Sequence, residues 1–287
     1  MDLTGKNRNT LEKFYTHPQI AKKCVKTLSN FIPLDGFSHF VEPSAGLGVF
    51  LDVLKEYNLS NEKEIYGGDI SSTREDIVNM DFLQTPPSQI ESWRHGKTLV
   101  FGNPPFGRQS KTLKRFIKQS ICFAQTIAFI LPRSFLKASL QKIFPLEFHL
   151  VHSETLPSHC FQLENGQRHH VPCVFQIWDR RSIFREQVPK HVCHRHYQFT
   201  TNPEEAQACF RRVGVYAGQV SPVCEFKSKS SHYFLQFSFE IEQHVPTILD
   251  KLSACSSWNS DYTVGPKSIS KQELMEKLNE IMTSVFI

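Results

Sequence analysis

Apolar and polar positions alternate in blocks over the first 147 residues, and each block has the length of a strand or a helix. Short apolar runs ending at Gly, Pro or Asp predict buried strands in SHFVEPSAG, EIYGGDI, TLVFGNPPF and TIAFILP. Apolar residues at helical spacing predict helices in HPQIAKKCVKTLSN, VFLDVLKEY, KTLKRFIKQSICFA and SFLKASLQKIF. Strands that alternate with helices in this way predict a doubly wound, mostly parallel sheet.

The pattern changes after these elements. FHLVHSETL and VPCVFQIWD follow as strands without a helix between them, so we expect a hairpin whose antiparallel final strand is inserted at the sheet edge. Residues 180–245 are rich in His, Arg and Gln with short extended runs, and SISKQELMEKLNEIMTSVF predicts a closing helix capped by Ser270. The predicted domains are therefore an α/β domain over 1–180 and a small β-rich appendage over 181–287.

Composition narrows the class of protein. The chain is 40% hydrophobic and 21% charged, which is ordinary for a globular protein. A membrane span is not expected because no apolar run reaches about 18 residues, and the polar N-terminus does not resemble a signal peptide. Eight cysteines without a C-x-x-C pair favour reduced thiols in an intracellular protein, and KHVCHRH lacks the spacing of a metal site. The net charge of +5 permits nucleic-acid binding, with basic residues gathered at 6–13, 108–118, 180–195 and 211–212.

A glycine-bearing loop follows the first predicted strand, at the edge where α/β sheets bind ligands. The loop, EPSAGLG at 42–48, matches neither the dinucleotide fingerprint nor the P-loop. Asp69 ends the next strand, where an acid can bind the two hydroxyls of a ribose. Asp81 and Phe82 follow, and they offer an acceptor for an adenine amine and an aromatic ring. This order of features predicts a site for an adenosine-type ligand that does not need a phosphate group to bind.

The stretch LVFGNPPFGRQS at 99–110 places Asn103 directly after a predicted strand and before two prolines and Phe106. Proline fixes φ and removes a backbone donor, so this sequence predicts a rigid, exposed corner.

With these residues the chain resembles the class I S-adenosylmethionine-dependent methyltransferases that modify exocyclic amines. Among them it is similar to the N6-adenine DNA methyltransferases of the gamma motif order, in which a Thr-Pro-type element precedes the cofactor loop and target recognition is C-terminal. The resemblance covers roughly residues 6–180. The matching segments, in chain order, are FYTHPQIAKKC (14–24), VEPSAGLGVF (41–50), YGGDI (66–70), NMDFL (79–83), GNPPFG (102–107) and AFILPRSFL (128–136).

The resemblance implies a Rossmann-like fold with a seven-stranded, mostly parallel sheet containing one antiparallel strand, and S-adenosylmethionine as the cofactor. The cofactor-binding residues that it implies are Thr16, Pro18, Glu42, Pro43, Ser44, Ala45, Gly46, Gly48, Asp69, Ile70, Asp81, Phe82 and Asn103. The implied catalytic residues are Asn103, Pro104, Pro105 and Phe106.

In this interpretation the Asn103 side-chain carbonyl and the Pro104 backbone carbonyl each accept one hydrogen of the target amine. The nitrogen lone pair is then directed at the sulfonium methyl for an in-line displacement, and the prolines hold both acceptors in place beforehand. Phe106 stacks on a base taken out of its helix. The family's aromatic residue is often Tyr, so Phe106 keeps the stacking face and loses a hydroxyl contact.

DNA is the expected substrate, and RNA stays open because the catalytic loop does not distinguish the two polymers. RNA guanine-N2 methyltransferases also carry NPPF, with a duplicated N-terminal domain, and protein glutamine methyltransferases carry NPPY behind a helical domain. A noncatalytic nucleic-acid-binding partner subunit is a further alternative, against which the intact motifs argue. Oligomeric state is left open, and the short C-terminal part makes recognition of a long sequence doubtful. Candidate phosphate contacts are Arg108, Lys111, Arg211 and Arg212.

Overall fold

The protein is described by a computed structural model that covers residues 14–57, 63–163, 166–187, 189–256, 258 and 267–286. The chain forms two compact units, which divide after residue 187. Backbone hydrogen bonds link the residues after β10 to the first unit, because Arg181 N donates to Glu147 O and Arg185 N to Leu146 O. These bonds hold the residues after the last strand of the sheet against the first unit.

Ten strands and five α-helices are found in the described part of the first unit. The strands are β1 (Tyr15–Thr16), β2 (His39–Glu42), β3 (Glu64–Asp69), β4 (Val78–Asn79), β5 (Thr98–Gly102), β6 (Thr126–Pro132), β7 (Phe148–Thr155), β8 (Phe161–Gln162), β9 (Arg168–His169) and β10 (Cys173–Arg180). The helices are α1 (Pro18–Phe31), α2 (Val49–Lys55), α3 (Pro87–Arg94), α4 (Lys111–Ile121) and α5 (Ala138–Gln141).

The main sheet has seven strands in the order β4-β3-β2-β5-β6-β10-β7. All neighbouring pairs are parallel except those of β10, which is antiparallel to both β6 and β7. The predicted α/β class, the seven-stranded sheet, the single antiparallel strand and the final hairpin are confirmed. The antiparallel strand is not itself the edge strand, because β7 lies outside it.

Every residue of β2, β5 and β6 is buried. Strands covered on both faces read as continuous apolar runs, which is the pattern that identified them in the sequence. Helix α1 buries Ala21, Cys24, Val25 and Leu28, and its first turn contains Pro18. The core of this unit is therefore the sheet with the apolar faces of its helices.

Three local features differ from the predictions. Helix α3, which was not predicted, starts at Pro87, because proline is well suited to the first position of a helix. The helix expected in SFLKASLQKIF is broken at Lys137, whose backbone is extended. The carbonyl of Phe135 instead accepts hydrogen bonds from the side chains of Gln141 (2.9 Å) and Gln176 (3.2 Å).

A small antiparallel sheet, β1-β8-β9, was also not predicted. Tyr15 pairs with Gln162 and Thr16 with Phe161, while Phe161 pairs on its other side with His169. The segment between β7 and β10 thus holds the first described residues of the chain by backbone hydrogen bonds.

The second unit contains an antiparallel sheet in the order β11-β14-β12-β13 and two α-helices. Its elements are β11 (Tyr197–Thr200), β12 (Ala208–Arg211), β13 (Val220–Ser221), β14 (His232–Phe237), α6 (Val245–Ser253) and α7 (Lys271–Phe286). Ser270 caps α7 as predicted: its Oγ accepts from Glu273 N (3.2 Å), and the Glu273 carboxylate accepts from Ser270 N (2.8 Å). This unit is the predicted β-rich appendage, and helix α6 was not anticipated.

All eight cysteines are free. Over the described residues, no helix is long and apolar enough to cross a membrane.

Candidate functional site

A pocket of about 1020 Å³ opens at the carboxyl ends of β2, β3 and β5. The chain runs from β2 outward through β3 and β4 and then returns to β5 on the other side of β2. This is the topological switch point, where the connections leave in opposite directions and open a crevice. Segments that are distant in sequence line the pocket, namely 14–16, 42–47, 49–50, 69–71, 81–83, 103–108, 112 and 115–116.

The loop between β2 and α2 is shaped by two glycines with positive φ, Gly46 (+52°) and Gly48 (+75°). A Cβ atom on Gly48 would lie 2.6 Å from the Arg74 guanidinium carbon. That guanidinium is held by the carboxylates of Asp52 and Asp76 at 2.7–2.9 Å, and it also donates to Leu47 O (2.9 Å). Arg74 therefore braces the back of the loop, and only glycine fits at position 48.

Asp69 fixes the loop from the pocket side. Its Oδ2 accepts from Gly46 N at 2.8 Å, and its Oδ1 accepts from Ser71 N at 2.9 Å. The carboxylate thus sits at the end of β3 between two stretches of pocket wall, with the exposed side chain of Ile70 beside it.

Glu42 and Thr16 contribute buried oxygens to the pocket wall. Glu42 is 1% exposed and Thr16 is 5% exposed, and neither Glu42 Oε2 nor Thr16 Oγ1 has a hydrogen-bond partner among the described residues. Burial raises the pKa of the Glu42 carboxyl well above its usual range, and the negative charge of Asp69 adds to this effect. Unpartnered buried acceptors are costly, so a ligand that donates hydrogen bonds or carries positive charge is favoured at this place.

Asp81 and Phe82 line the pocket just after β4, the edge strand of the main sheet. The Asp81 carboxylate caps a short 3₁₀ turn by accepting from Leu83 N (2.9 Å) and from Gln84 Nε2 (3.1 Å). The Phe82 ring is only 2% exposed and packs against Phe116, with 5.2 Å between ring centroids. Phe82 thus contributes to the core of the first unit as well as to the pocket.

The NPPF segment lines the pocket at the carboxyl end of β5, on the other side of β2 from β3 and β4. Asn103 Nδ2 donates to Phe14 O at 3.1 Å, and the Asn103 backbone carbonyl accepts from Ser44 Oγ at 3.1 Å. With its amide nitrogen held in this way, Asn103 Oδ1 is buried and has no partner among the described residues. Phe106 is 9% exposed and packs edge-to-face on Phe161, with 6.3 Å between centroids.

Sequence reasoning missed four lining residues that bear on the site: Phe14, Tyr15, Thr112 and Arg115. Phe14 stacks on His169 with 4.5 Å between centroids and an interplanar angle of 11°, so the small β1-β8-β9 sheet supports this wall. Nothing local in the sequence announces that contact, because the two rings are far apart along the chain. Arg115, by contrast, follows Arg108 at helical spacing and could have been selected.

The remaining predicted residues lie as follows. Pro43, Ser44, Ala45, Pro104, Pro105 and Arg108 line the pocket, whereas Pro18, Gly48 and Lys111 do not. Arg211 and Arg212 are in the second unit, where Arg211 Nε donates to Val213 O (3.3 Å) and the Arg212 guanidinium lies 5.1 Å from the centroid of the Tyr233 ring. Their contact with nucleic acid stays a prediction.

Across the described ranges, no group of three or more His, Cys, Asp or Glu side chains is arranged to hold a metal ion.

No protein-family model and no curated protein matches the chain. Solved structures with some similarity include a Pyrococcus horikoshii protein provisionally described as an RNA methyltransferase (15% identity, 59% of this chain and 88% of that chain, TM-score 0.44). Another is a Listeria monocytogenes protein provisionally described as a class I S-adenosylmethionine-dependent methyltransferase (14%, 62% and 64%, TM-score 0.44). A third is the methyltransferase subunit of a type I restriction-modification system from Streptococcus thermophilus (14%, 86% and 55%, TM-score 0.43), of which this chain spans about half. Since these TM-scores are all below 0.5, the description of the fold rests on the strand order of the chain itself.

Proposed function

We propose that this protein is an S-adenosylmethionine-dependent methyltransferase that methylates the exocyclic N6 amine of adenine in DNA. The observation that carries the proposal is the state of Asn103. Its amide nitrogen donates to Phe14 O, and its Oδ1, directly before Pro104, is buried without a partner among the residues that the structure describes. The target amine would donate a hydrogen bond to this oxygen, and the Pro104 carbonyl is the second acceptor that the NPPF motif implies.

The pocket residues suit S-adenosylmethionine. The ligand carries an ammonium and a sulfonium, and the unpartnered oxygens of Thr16 and Glu42 are acceptors beside the anionic Asp69. Gly46 lets the backbone of the loop approach a ligand closely, and Asp69 is placed at the end of β3 for ribose hydroxyls. When bound, this cofactor supplies an electrophilic methyl group.

The chain's own residues then prepare the amine. Its lone pair is delocalised into the adenine ring, so the free amine is a poor nucleophile. Acceptance of both amine hydrogens, by Asn103 Oδ1 and Pro104 O, favours an sp³ nitrogen with a directed lone pair. Because two consecutive prolines hold these acceptors, little reorganisation is needed as positive charge develops. Phe106 and the rings around it exclude water and offer an apolar contact for the base.

The test is incubation of the protein with methyl-labelled cofactor and unmethylated DNA, RNA or protein, followed by digestion and chromatography of the products. We expect label in N6-methyl-2′-deoxyadenosine from DNA. Label only in RNA nucleosides, in N2-methylguanosine or in protein would reject the assignment of substrate. Absence of label from all polymers, together with retained cofactor binding, would favour a noncatalytic subunit.

The Asp69→Ala variant separates cofactor binding from chemistry. It removes the acceptor for ribose and the brace on Gly46 N, so the cofactor dissociation constant measured by calorimetry should rise by at least about tenfold. An unchanged constant would place the cofactor elsewhere.

A further inference from the structure

A row of cations lies along the outer face of α4 and reaches the pocket. The row, here called the basic ridge, consists of Arg108, Lys111, Lys114, Arg115 and Lys118. Positions 111, 114, 115 and 118 share one face because residues three and four apart are neighbours on a helix. The opposite face of α4 is buried through Leu113, Phe116, Ile117 and Ser120. Arg108 and Arg115 also line the pocket.

The charges of the ridge are not neutralised by any residue in the described part of the chain. Helix α4 contains no Asp or Glu, and the ridge side chains form no ion pair or hydrogen bond with any described residue. Four of the five are exposed, and Lys114 is partly buried. The excess extends along the chain: residues 92–146 contain ten Lys and Arg and no Asp or Glu, although the whole chain carries a net charge of only +5.

This arrangement costs stability within the helix. Lys111 with Arg115 and Lys114 with Lys118 are like-charged pairs four residues apart, and each destabilises a helix by roughly 0.2–0.5 kcal/mol. A cation in the first turn also faces the positive end of the helix dipole. On an ordinary solvated helix face, oppositely charged pairs at the same spacing would stabilise the helix by a similar amount. The unrelieved repulsion therefore points to a polyanionic ligand.

We propose that the basic ridge binds the phosphodiester backbone of the nucleic-acid chain whose base enters the pocket. This inference rests on the proposed function and names the surface that guides its substrate. The ridge from Lys111 to Lys118 spans seven residues of helix, or about 10 Å, which matches roughly three phosphates at about 3.4 Å per strand. A small amine would leave these charges without partners, and a protein substrate would pair with them only through a run of Asp or Glu side chains.

The experiment compares two triple variants of equal net charge. The ridge variant is Lys111→Gln/Lys114→Gln/Lys118→Gln, which spares the two arginines that line the pocket. The control variant is Lys26→Gln/Lys97→Gln/Lys142→Gln, at exposed positions outside the ridge and the pocket lining. Circular dichroism and thermal unfolding verify that both are folded. Binding of labelled single-stranded DNA and RNA oligonucleotides is followed by fluorescence anisotropy across a salt series, without cofactor.

We expect the ridge variant to reduce the slope of log affinity against log salt by about 2, from three contacts at about 0.7 each for a single strand. If the affinities converge near 1 M salt, this loss is about hundredfold at 0.1 M salt. The control variant should keep the wild-type slope. Equal salt slopes for the two variants, or no binding of either polymer by the wild type, would refute the proposal that the ridge binds nucleic acid.

Because the binding assay contains no cofactor, its result is independent of methyl transfer. A wild-type protein that methylates no polymer but loses salt-dependent binding in the ridge variant would refute the proposed function and support the ridge. If the wild-type protein methylates DNA and the ridge variant keeps the wild-type salt slope and KM, the proposed function is supported and the proposal that the ridge binds nucleic acid is refuted.

Discussion

Replacing Asn103 by Ala should separate the activity of this protein from its stability. The substitution removes the hydrogen bond from Nδ2 to Phe14 O, which costs about 1 kcal/mol. It also removes Oδ1, whose burial without a partner costs about 1–3 kcal/mol. The two effects oppose each other, so the free energy of unfolding should stay the same or rise by up to about 2 kcal/mol.

Turnover should fall far more. Loss of one preorganised hydrogen-bonding group that acts in the transition state typically lowers kcat by about 10²–10³, or about 2.7–4 kcal/mol. Single-turnover methyl transfer at saturating cofactor measures this loss, denaturant unfolding measures stability, and calorimetry should show nearly unchanged cofactor affinity.

Asn279→Ala is a matched control in the second unit. Asn279 Oδ1 accepts from Tyr197 Oη (2.9 Å) and His194 N (3.2 Å), and Nδ2 donates to Val192 O (2.8 Å). Its loss should lower stability by about 1–3 kcal/mol and leave kcat unchanged. The reasoning fails if Asn103→Ala keeps kcat within about tenfold of wild type, or if it destabilises the protein as much as the control does.

Two further predictions concern the EPSAGLG loop at residues 42–48. Glu42→Gln should make the protein more stable at neutral pH. The raised pKa of the Glu42 carboxyl means that the folded state holds its proton more tightly than the unfolded state, so wild-type stability falls as the pH rises above about 4.3. The stability gained by Glu42→Gln should therefore shrink towards zero below that pH. Denaturant unfolding across a pH series measures this gain. A gain that is independent of pH would contradict burial of a protonated carboxyl. Gly48→Ala should destabilise the protein by at least about 1 kcal/mol and weaken cofactor binding, because Gly48 has a positive φ and Arg74 lies close to it. The control is Gly36→Ala, which should change neither quantity because the space around Gly36 is open. Equal effects of the two alanines in thermal unfolding and calorimetry would show that the loop tolerates a side chain.

The parts of the fold that were predictable are those where burial leaves a local pattern. Strands β2, β5 and β6 are covered on both faces and read as uninterrupted apolar runs. Helix α3 was missed since Pro87 suits both a turn and the first turn of a helix, and the local sequence does not decide between them. The break at Lys137 is accompanied by hydrogen bonds to Phe135 O from Gln141 in the same segment and from Gln176 on β10, and the second of these is a long-range contact.

The candidate site divides in the same way. Residue types and their order along the chain were sufficient to select the EPSAGLG loop, Asp69, Asp81 and the NPPF segment, because the carboxyl ends of neighbouring parallel strands must meet. They could not show that Phe14 O holds the Asn103 amide, nor that His169 stacks on the Phe14 ring.

The sequence by itself determined most strands of the main sheet, helices α1, α2, α4 and α7, and which chemical groups follow each of those strands, because periodicity and turn residues act over a few positions. Only the tertiary structure decided that Asn103 Oδ1, Glu42 Oε2 and Thr16 Oγ1 lack partners, and that the cations of α4 lead to the same pocket. Hydrogen-bond satisfaction and charge compensation depend on segments brought together from β1, β2, β5 and α4. Such long-range contacts are set by packing of the whole unit, and no local pattern records them.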